Sequence, residues 1–265
     1  MNYEIKILSV GQVEVPGPEI FWMSHWDEWL PLSINVAVVQ GEGITALVNS
    51  GAPEDLSPIN EIWTSVLGER AEYRRTAEQD LLPQLASMGI HSDDITHVIV
   101  TPLQLYSTGG ILNFPRAQIC LSERGWVHFH TTHSHPHDSR WHSLSKEVLM
   151  YLVTTGWDRV RLLKEEDTVA PGLRTWWAGN HHRASLAVEI DSLTGIVVAS
   201  DAFFYYENVE EDRPLGISES LYEGMACFER TRRVAKHIVP LYDPRVFDRY
   251  PDGLLTSKAT HERVR

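Results

Sequence analysis

Residues 93–110 read DDITHVIVTPLQLYSTGG, and no other segment of the chain constrains the architecture as strongly. Ile95–Thr101 is rich in β-branched residues and predicts a buried strand, which Pro102 closes. Gly109 and Gly110 then predict a turn. A strand, a polar loop and a glycine turn are therefore expected to follow one another directly.

Strand and helix patterns extend from this segment in both directions. Short apolar runs predict further strands at Tyr3–Val10, Ile34–Gln40, Ile44–Asn49, Ala117–Leu121, Arg159–Leu163, Leu173–Ala178, Ser185–Ile190, Gly195–Ser200 and His237–Pro240. Helices are predicted at Pro58–Leu67, Leu81–Met88, Glu123–His130, Ser145–Thr155 and Ser218–Lys236, with Asp80 and Ser122 as N-caps. One half of the chain repeats the content of the other, which favours a two-sheet sandwich with helices outside over a doubly wound sheet.

The composition argues against several classes of protein. The 265 residues include 36 Asp and Glu against 23 Lys and Arg, a formal net charge of −13, which disfavours a surface for nucleic acid or anionic membranes. No run of 18 apolar residues predicts a membrane span, and Met1–Lys6 lacks the pattern of a signal peptide. Because Cys120 and Cys227 cannot form a disulfide framework, we expect a reducing, cytoplasmic environment.

Segments at four places, in chain order, resemble one known family. They are Ala46–Gly51, Leu85–Thr101 with Gly109-Gly110, Gly179–Ser185, and Val197–Ala202 with Val239–Pro244. Together they resemble the motifs of the metallo-β-lactamase superfamily, closest to its lactonase-like branch. The resemblance covers roughly residues 30–252 and implies a four-layer αββα sandwich. We expect one domain over residues 1–265, with a frayed polar tail at about 257–265.

The resemblance breaks down at the positions that hold the metals in the family. Five of these positions carry other residues here: Pro102, Gln104, Tyr106, Ser107 and Tyr242. Only His181 and Asp201 match the family's ligands. Proline offers no side-chain donor, and Gln, Tyr and Ser are poor zinc ligands beside His, Cys or carboxylate. The sequence therefore predicts that the dinuclear zinc centre is absent and that no cofactor replaces it.

A metal-independent enzyme is the first hypothesis for this degenerate site. It would be a hydrolase or lyase acting on a small, partly apolar molecule such as a lactone, ester or amide. By carry-over from the family, His181 and Asp201 form an acid–base pair, and Ser107 is a candidate nucleophile. Tyr106 and Tyr242 are candidate acids or oxyanion donors. Gln104 completes the set as a polar partner.

Two alternatives remain open from the sequence. The chain could be a non-catalytic ligand-binding paralogue, in which the new side chains fill the vacated cavity and satisfy one another. It could also be a hydrolase with one metal rebuilt from a histidine-rich segment, whose members are His128, His130, His133, His135, His137 and His142. An open pocket with convergent polar groups would favour chemistry or ligand binding, whereas a filled pocket would favour a structural role.

Aromatic residues suggest where a substrate would bind. The segment Phe21–Leu32, called the aromatic loop below, contains Trp22 and Trp26. We expect these two rings to form a wall over an apolar substrate, with core packing or a homodimer contact as the alternative. Tyr206, which follows the aspartate strand, is expected near the same pocket. Asp243 is expected to hold its loop through backbone hydrogen bonds.

Overall fold

The structure is a computed structural model that describes residues 2–131 and 140–256. Its strands are β1 Glu4–Pro16, β2 Trp29–Gly41, β3 Ile44–Val48, β4 His97–Ile99, β5 Gln118–Ser122, β6 Val160–Leu163, β7 Glu166–Ala170, β8 Leu173–Trp177, β9 Leu186–Ser192, β10 Gly195–Ser200, β11 His237–Pro240 and β12 Leu254–Thr256. Its helices are α1 Gly17–Ile20, α2 Ser57–Leu67, α3 Leu81–Ser87, α4 Leu105–Thr108, α5 Glu123–His130, α6 Arg140–Ser143, α7 Lys146–Val153, α8 Tyr206–Glu210, α9 Leu221–Val234 and α10 Val246–Arg249.

Two sheets make up the centre of the fold. The first has seven strands in the order β12-β1-β2-β3-β4-β5-β6, and the second has five in the order β11-β10-β9-β8-β7. Strands β3 to β6 run parallel to one another, and β10 runs parallel to β11. The long hairpin of β1 and β2 carries a bulge between Ser9 and Gly11.

The core lies between the two sheets, and a second cluster lies behind the five-stranded sheet. Successive strand residues point to opposite faces. In β10, Val197 joins the core shared with the first sheet, whereas Val198 packs with Phe228 of α9. These layers form the αββα sandwich that the sequence predicted. Among the described residues, no helix is long and apolar enough to cross a membrane.

Most predicted elements are present, and the differences have local causes. Ser122 caps α5 by accepting the N–H of Gly125 at 3.1 Å, as predicted. Asp80 precedes α3 but makes no cap hydrogen bond, because its carboxylate pairs with Arg75 at 3.0 Å. The sequence analysis missed β7, an acidic edge strand paired only with β8, since Glu166–Ala170 lacks an apolar run. The predicted frayed tail lies outside the described residues.

Candidate active site

Strand ends bring the candidate residues to one edge of the sandwich. Thr101 follows β4, His181 follows β8, Asp201 follows β10 and Tyr242 follows β11. The carboxyl ends of parallel strands meet at the same edge of a sheet, and ligand sites in α/β folds are found there. Segments far apart in the sequence therefore supply neighbouring side chains.

The loop after β3 fixes the start of the 101–110 segment. Asn49 adopts a left-handed backbone (φ 70°), and its side-chain amide exchanges two 2.7 Å hydrogen bonds with the backbone of Thr101. Ser50 donates from its backbone N–H (2.9 Å) and its hydroxyl (2.8 Å) to the carbonyl of Ser107. A Cβ on Gly110 would lie 2.2 Å from the carbonyl oxygen of Ser50, so only glycine fits there. These contacts explain why the motif that ends β3, with Asn49 and Ser50, occurs together with the 101–110 segment.

Asp201 is the centre of the cluster and is fully buried. Its Oδ2 accepts hydrogen bonds from His181 Nδ1 at 3.0 Å and from the hydroxyl of Ser185, and its Oδ1 contacts the hydroxyl of Thr101. Because an ionised carboxylate only accepts hydrogen bonds, His181 carries its proton on Nδ1. The basic lone pair of the imidazole is then on Nε2, where it can take a proton from another molecule.

Two tyrosines and a serine occupy the space beside this pair. The Tyr242 ring packs edge-to-face against Tyr106 (5.9 Å between centroids) and Phe204 (4.7 Å), and Phe204 packs against His181 (4.8 Å). Burial raises the pKa of both phenols, and the nearby charge of Asp201 adds to the effect. Tyr106 and Tyr242 therefore remain neutral hydrogen-bond donors at neutral pH.

Two hydroxyls in the cluster are buried without a partner. Burial raises the pKa of Tyr242, and the neighbouring Ser107 hydroxyl acts in the opposite direction, so the two groups lie close together. Neither Ser107 Oγ nor Tyr242 Oη makes a hydrogen bond of good geometry within the described residues. Buried polar atoms in native proteins nearly always have a partner.

The loop that carries His181 is anchored on α9. Arg183 donates to both oxygens of Glu223 (3.1 and 2.6 Å), and its backbone N–H donates to Glu219 (3.1 Å). The backbone N–H of Asn180, directly before the histidine, donates to Glu223 at 3.4 Å. His181 is thus held from both sides, and its side chain is 9% exposed.

The donor set does not fit the metal centre of the resembled family. Among residues 2–131 and 140–256, no group of three or more His, Cys, Asp or Glu side chains is arranged to hold a metal ion. Among the described residues, one imidazole and one carboxylate meet at the site, and both carboxylate oxygens already contact side chains. Zinc sites of this kind need at least three protein donors.

The other sequence-predicted residues lie at various distances from this cluster. Gln104 is half-buried at the residue before α4. Tyr206 is buried, but its ring lies beneath the guanidinium of Arg249 (3.4 Å), and the structure does not bring it to His181. His128 packs against His182 (6.4 Å between ring centroids), while His133, His135 and His137 lie outside the described residues.

The aromatic loop exposes its two predicted tryptophans, whereas Phe21 and Leu32 are buried and residues 29–32 belong to β2. Trp22 and Trp26 are 50% and 66% exposed. Trp22 lines an open cavity of about 390 Å³ with Phe21, His25 and Arg213, and none of the residues of the His181 cluster line it. Within the described part of the chain, Tyr205, the neighbour of Phe204, links the loop to the cluster: it packs against Phe21 (5.8 Å) and donates to the carbonyl of Pro31 at 2.6 Å.

Three residues of the cluster were not assigned a role from the sequence. Thr101 and Ser185 bond to Asp201, and Phe204 covers His181. Ser185 belongs to a motif that carries the resemblance, and Thr101 ends the predicted strand. There was therefore a reason in the sequence to place both residues near the site. There was none for Phe204, because an apolar residue after a strand is most often ordinary packing.

Comparisons with known proteins agree with this architecture. No protein-family model matches the chain. The sequence is similar to the N-acyl homoserine lactonase AiiB of Agrobacterium fabrum (strain C58), with 24% identity over 226 residues that cover 78% of this chain and 80% of the relative. It is also 23% identical, with the same coverage, to the N-acyl homoserine lactonase AiiB of Rhizobium rhizogenes (strain K84).

Solved structures show the same fold. An N-acyl homoserine lactone hydrolase with its product N-hexanoyl-L-homoserine bound at the catalytic metal centre matches with a TM-score of 0.76 and 17% identity, over 94% of this chain and 97% of the other. A dizinc quorum-quenching lactonase matches with a TM-score of 0.65 and 16% identity, over 95% and 89%. The resemblance to the lactonase-like branch of the metallo-β-lactamase superfamily is confirmed, and so is the αββα fold.

Proposed function

We propose that this chain hydrolyses a lactone or another small, partly apolar ester without a metal centre, with His181 and Asp201 as its acid–base pair. The observation that carries the proposal is the 3.0 Å contact between His181 Nδ1 and Asp201 Oδ2 beside two unpartnered buried hydroxyls. The two similar curated proteins support ester chemistry, because both are named N-acyl homoserine lactonases. The donor set supports a route that does not need their metals.

In the proposed reaction each group has its own role. His181 Nε2 takes a proton from water as the water oxygen bonds to the carbonyl carbon of the substrate. The phenols of Tyr106 and Tyr242, kept neutral by burial, donate to the carbonyl oxygen as it gains negative charge. The imidazolium then returns the proton to the leaving alkoxide as the C–O bond breaks. One water is consumed, and a lactone yields a hydroxy acid.

Ser107 offers a second route through the same groups. Its hydroxyl is buried without a partner and could attack the carbonyl in place of water, with its proton passing to His181. The leaving alkoxide would take that proton, and water would then cleave the ester formed on the serine. Mass spectrometry of protein quenched during turnover distinguishes the two routes, because only the second adds the acyl group to the chain.

The burial of the cluster favours a second candidate function, a non-catalytic protein in which these side chains fill the vacated cavity. Asp201 and Ser107 are fully buried, Tyr242 is 2% exposed, and Phe204 packs against the face of the site. A hydrolase needs space next to His181 Nε2, so Phe204 or its neighbours must move for a substrate to enter. If they do not move, the cluster is a structural replacement for the family's metal centre.

A substrate panel tests these two functions directly. N-acyl homoserine lactones of different acyl length, simple γ- and δ-lactones and aryl esters are assayed by acid release in the presence of a chelator. We compare the wild type with His181→Ala and with His97→Ala, a control on β4 whose half-buried histidine bonds to Thr96 Oγ1 at 2.9 Å. His181→Ala should lower kcat/KM by about a hundredfold to ten-thousandfold, and His97→Ala should leave it near the wild-type value.

Two outcomes would decide against the proposal. Equal losses in both histidine variants would remove His181 from the chemistry. Lactone binding without turnover by the wild type would establish the non-catalytic function in place of hydrolysis.

A further inference from the structure

A second buried carboxylate lies away from the His181 cluster, in the five-stranded sheet. Glu189 of β9 is 8% exposed, and within the described part of the chain its carboxylate makes no hydrogen bond and no ion pair. A carboxylate that loses water on burial is normally compensated by a cation or by hydrogen-bond donors. Glu189 is therefore a largely buried carboxylate, reached by solvent at its oxygens, that no donor of the described residues satisfies.

The two arginines near Glu189 are engaged with other acids. Arg174 stands directly opposite Glu189 in the β8–β9 register, yet its guanidinium donates to both oxygens of Asp191 (2.7 and 3.3 Å). Arg230 of α9 donates to Glu166 and lies over the ring of Trp176 at 4.5 Å. Glu189 therefore lies within the electrostatic influence of Arg174, but neither of these two arginines gives it a hydrogen bond or an ion pair.

An open cavity of about 380 Å³ lies over Glu189. Its charged lining consists of three acids, Glu166, Asp167 and Glu189, and the two arginines of the preceding paragraph. The lining therefore has an excess of one negative charge. The volume lies in the range of cavities that hold small molecules, which is about 300–1,000 Å³.

We propose that this cavity binds a small organic monocation, a primary ammonium compound, whose –NH₃⁺ group donates to the Glu189 carboxylate. The single unpaired carboxylate and the excess of one negative charge match one positive charge on the ligand. A divalent metal ion fits less well, since such ions take six or more oxygen ligands and the other acids pair with arginines. The net charge of −13 also favours cations near the surface.

Calorimetric titration of the full chain with n-propylammonium chloride tests the site, with n-propanol as the uncharged analogue. Glu189→Gln keeps the side-chain shape and removes the charge. Glu14→Gln is the matched control, because Glu14 is an exposed carboxylate paired with Arg70 at 2.7 Å on the other sheet. We expect saturable binding of the ammonium to the wild type and the control, and about tenfold to hundredfold weaker binding to Glu189→Gln.

A second measurement guards against a misfolded variant. The ¹³C resonance of the Glu189 carboxyl carbon in the wild type should shift on addition of n-propylammonium and not of n-propanol. Equal affinity for propanol, equal affinity of Glu189→Gln, or no saturable binding at millimolar ligand would overturn the proposal. Calcium or guanidinium bound more tightly than the ammonium would overturn the assignment of the ligand class.

Discussion

Two fully buried carboxylates end neighbouring parallel strands, Asp201 after β10 and Asp243 after β11, and they are used in different ways. Asp201 bonds to side chains, among them the imidazole of His181. Asp243 bonds to the backbone N–H groups of Tyr206 and Arg245, and to the guanidinium of Arg245. Because both aspartates are fully buried, burial alone does not distinguish a functional carboxylate from a structural one. What distinguishes Asp201 is its partner: the imidazole of His181 can gain and lose a proton, whereas the guanidinium of Arg245 stays protonated.

The contacts of Asp243 stabilise the C-terminal loop that follows β11. Arg245 joins Asp243 to both oxygens of Glu207, at 2.6 and 2.5 Å. The hydrogen bonds to Glu207 and Asp243 raise the pKa of the guanidinium, and the same arginine lowers the pKa of Glu207. Both shifts favour the charged forms of Arg245 and Glu207, so this ion pair holds structure. The sequence analysis assigned Asp243 this structural role.

The largest expected effect on activity comes from replacing Asp201. Asp201→Asn places an amide beside His181, which can donate as well as accept and therefore no longer fixes the proton on Nδ1. We expect kcat/KM for lactone or ester hydrolysis to fall by about a hundredfold to ten-thousandfold. Asp243→Asn, measured in the same assay, should keep kcat within a small factor of the wild type. Similar losses in the two variants would show that both aspartates act only on structure.

Tyr242, the residue before Asp243, tests whether the phenols stabilise charge in the reaction. Tyr242→Phe removes an unpartnered hydroxyl, so the free energy of unfolding should stay unchanged or rise by about 1 kcal/mol. The value of kcat should fall by about a hundredfold, the usual loss for one oxyanion donor. Urea unfolding and steady-state kinetics measure the two quantities. A stability loss without a rate loss would instead favour the structural function of the cluster.

Asp243 should show the opposite balance, a loss of stability without a loss of rate. Asp243→Asn leaves Arg245 and two backbone N–H groups with weaker acceptors in a buried place. We expect the free energy of unfolding in urea to fall by about 2–3 kcal/mol. Asp248→Asn, on the nearby helix α10, is a control that should change it little. An unchanged urea midpoint for Asp243→Asn would show that the contacts of Asp243 do not stabilise the C-terminal loop.

The smallest effect is expected at alkaline pH. Burial raises the pKa of Tyr106 and Tyr242 in the folded protein, so the unfolded chain ionises first, near pH about 10. The stability that depends on their neutral form is present below that pH and is lost as the pH rises further. Each such group contributes a slope of up to about 1.4 kcal/mol per pH unit. Tyr242→Phe should flatten the decline between about pH 10 and 11, and an identical slope in both proteins would contradict this cause.

Local chemistry made most of the fold predictable from the sequence. The cap at Ser122 and the strand Gly195–Ser200 follow from side chains a few residues apart, and the structure has both. The strand Glu166–Ala170 was missed because two acids begin it and its stability comes from pairing with β8. Asp80 is the N-cap residue of α3, as predicted, but its carboxylate pairs with Arg75 and accepts no helix N–H.

The site was predictable only where a motif fixed a residue to a strand end. His181 and Asp201 could be placed in this way, and the structure brings them into contact. The direction of a side chain after a strand end cannot be read from the sequence, so Tyr206 was expected at the pocket although it lies under Arg249. Glu189 lacks an ion pair because Arg174, its neighbour across the sheet, bonds to Asp191 instead. No local sequence pattern predicts which of the two acids the arginine binds.

Metal dependence tests the central claim most directly. The best lactone or ester substrate is assayed before and after dialysis of tag-free protein against a chelator, with the metal content measured by elemental mass spectrometry. If His181 and Asp201 carry the reaction, the rate should be the same before and after dialysis, with metal far below one equivalent per chain. Activity that is lost on chelation and restored by zinc or manganese would contradict the account, because the chain would then use the chemistry of its metal-dependent relatives.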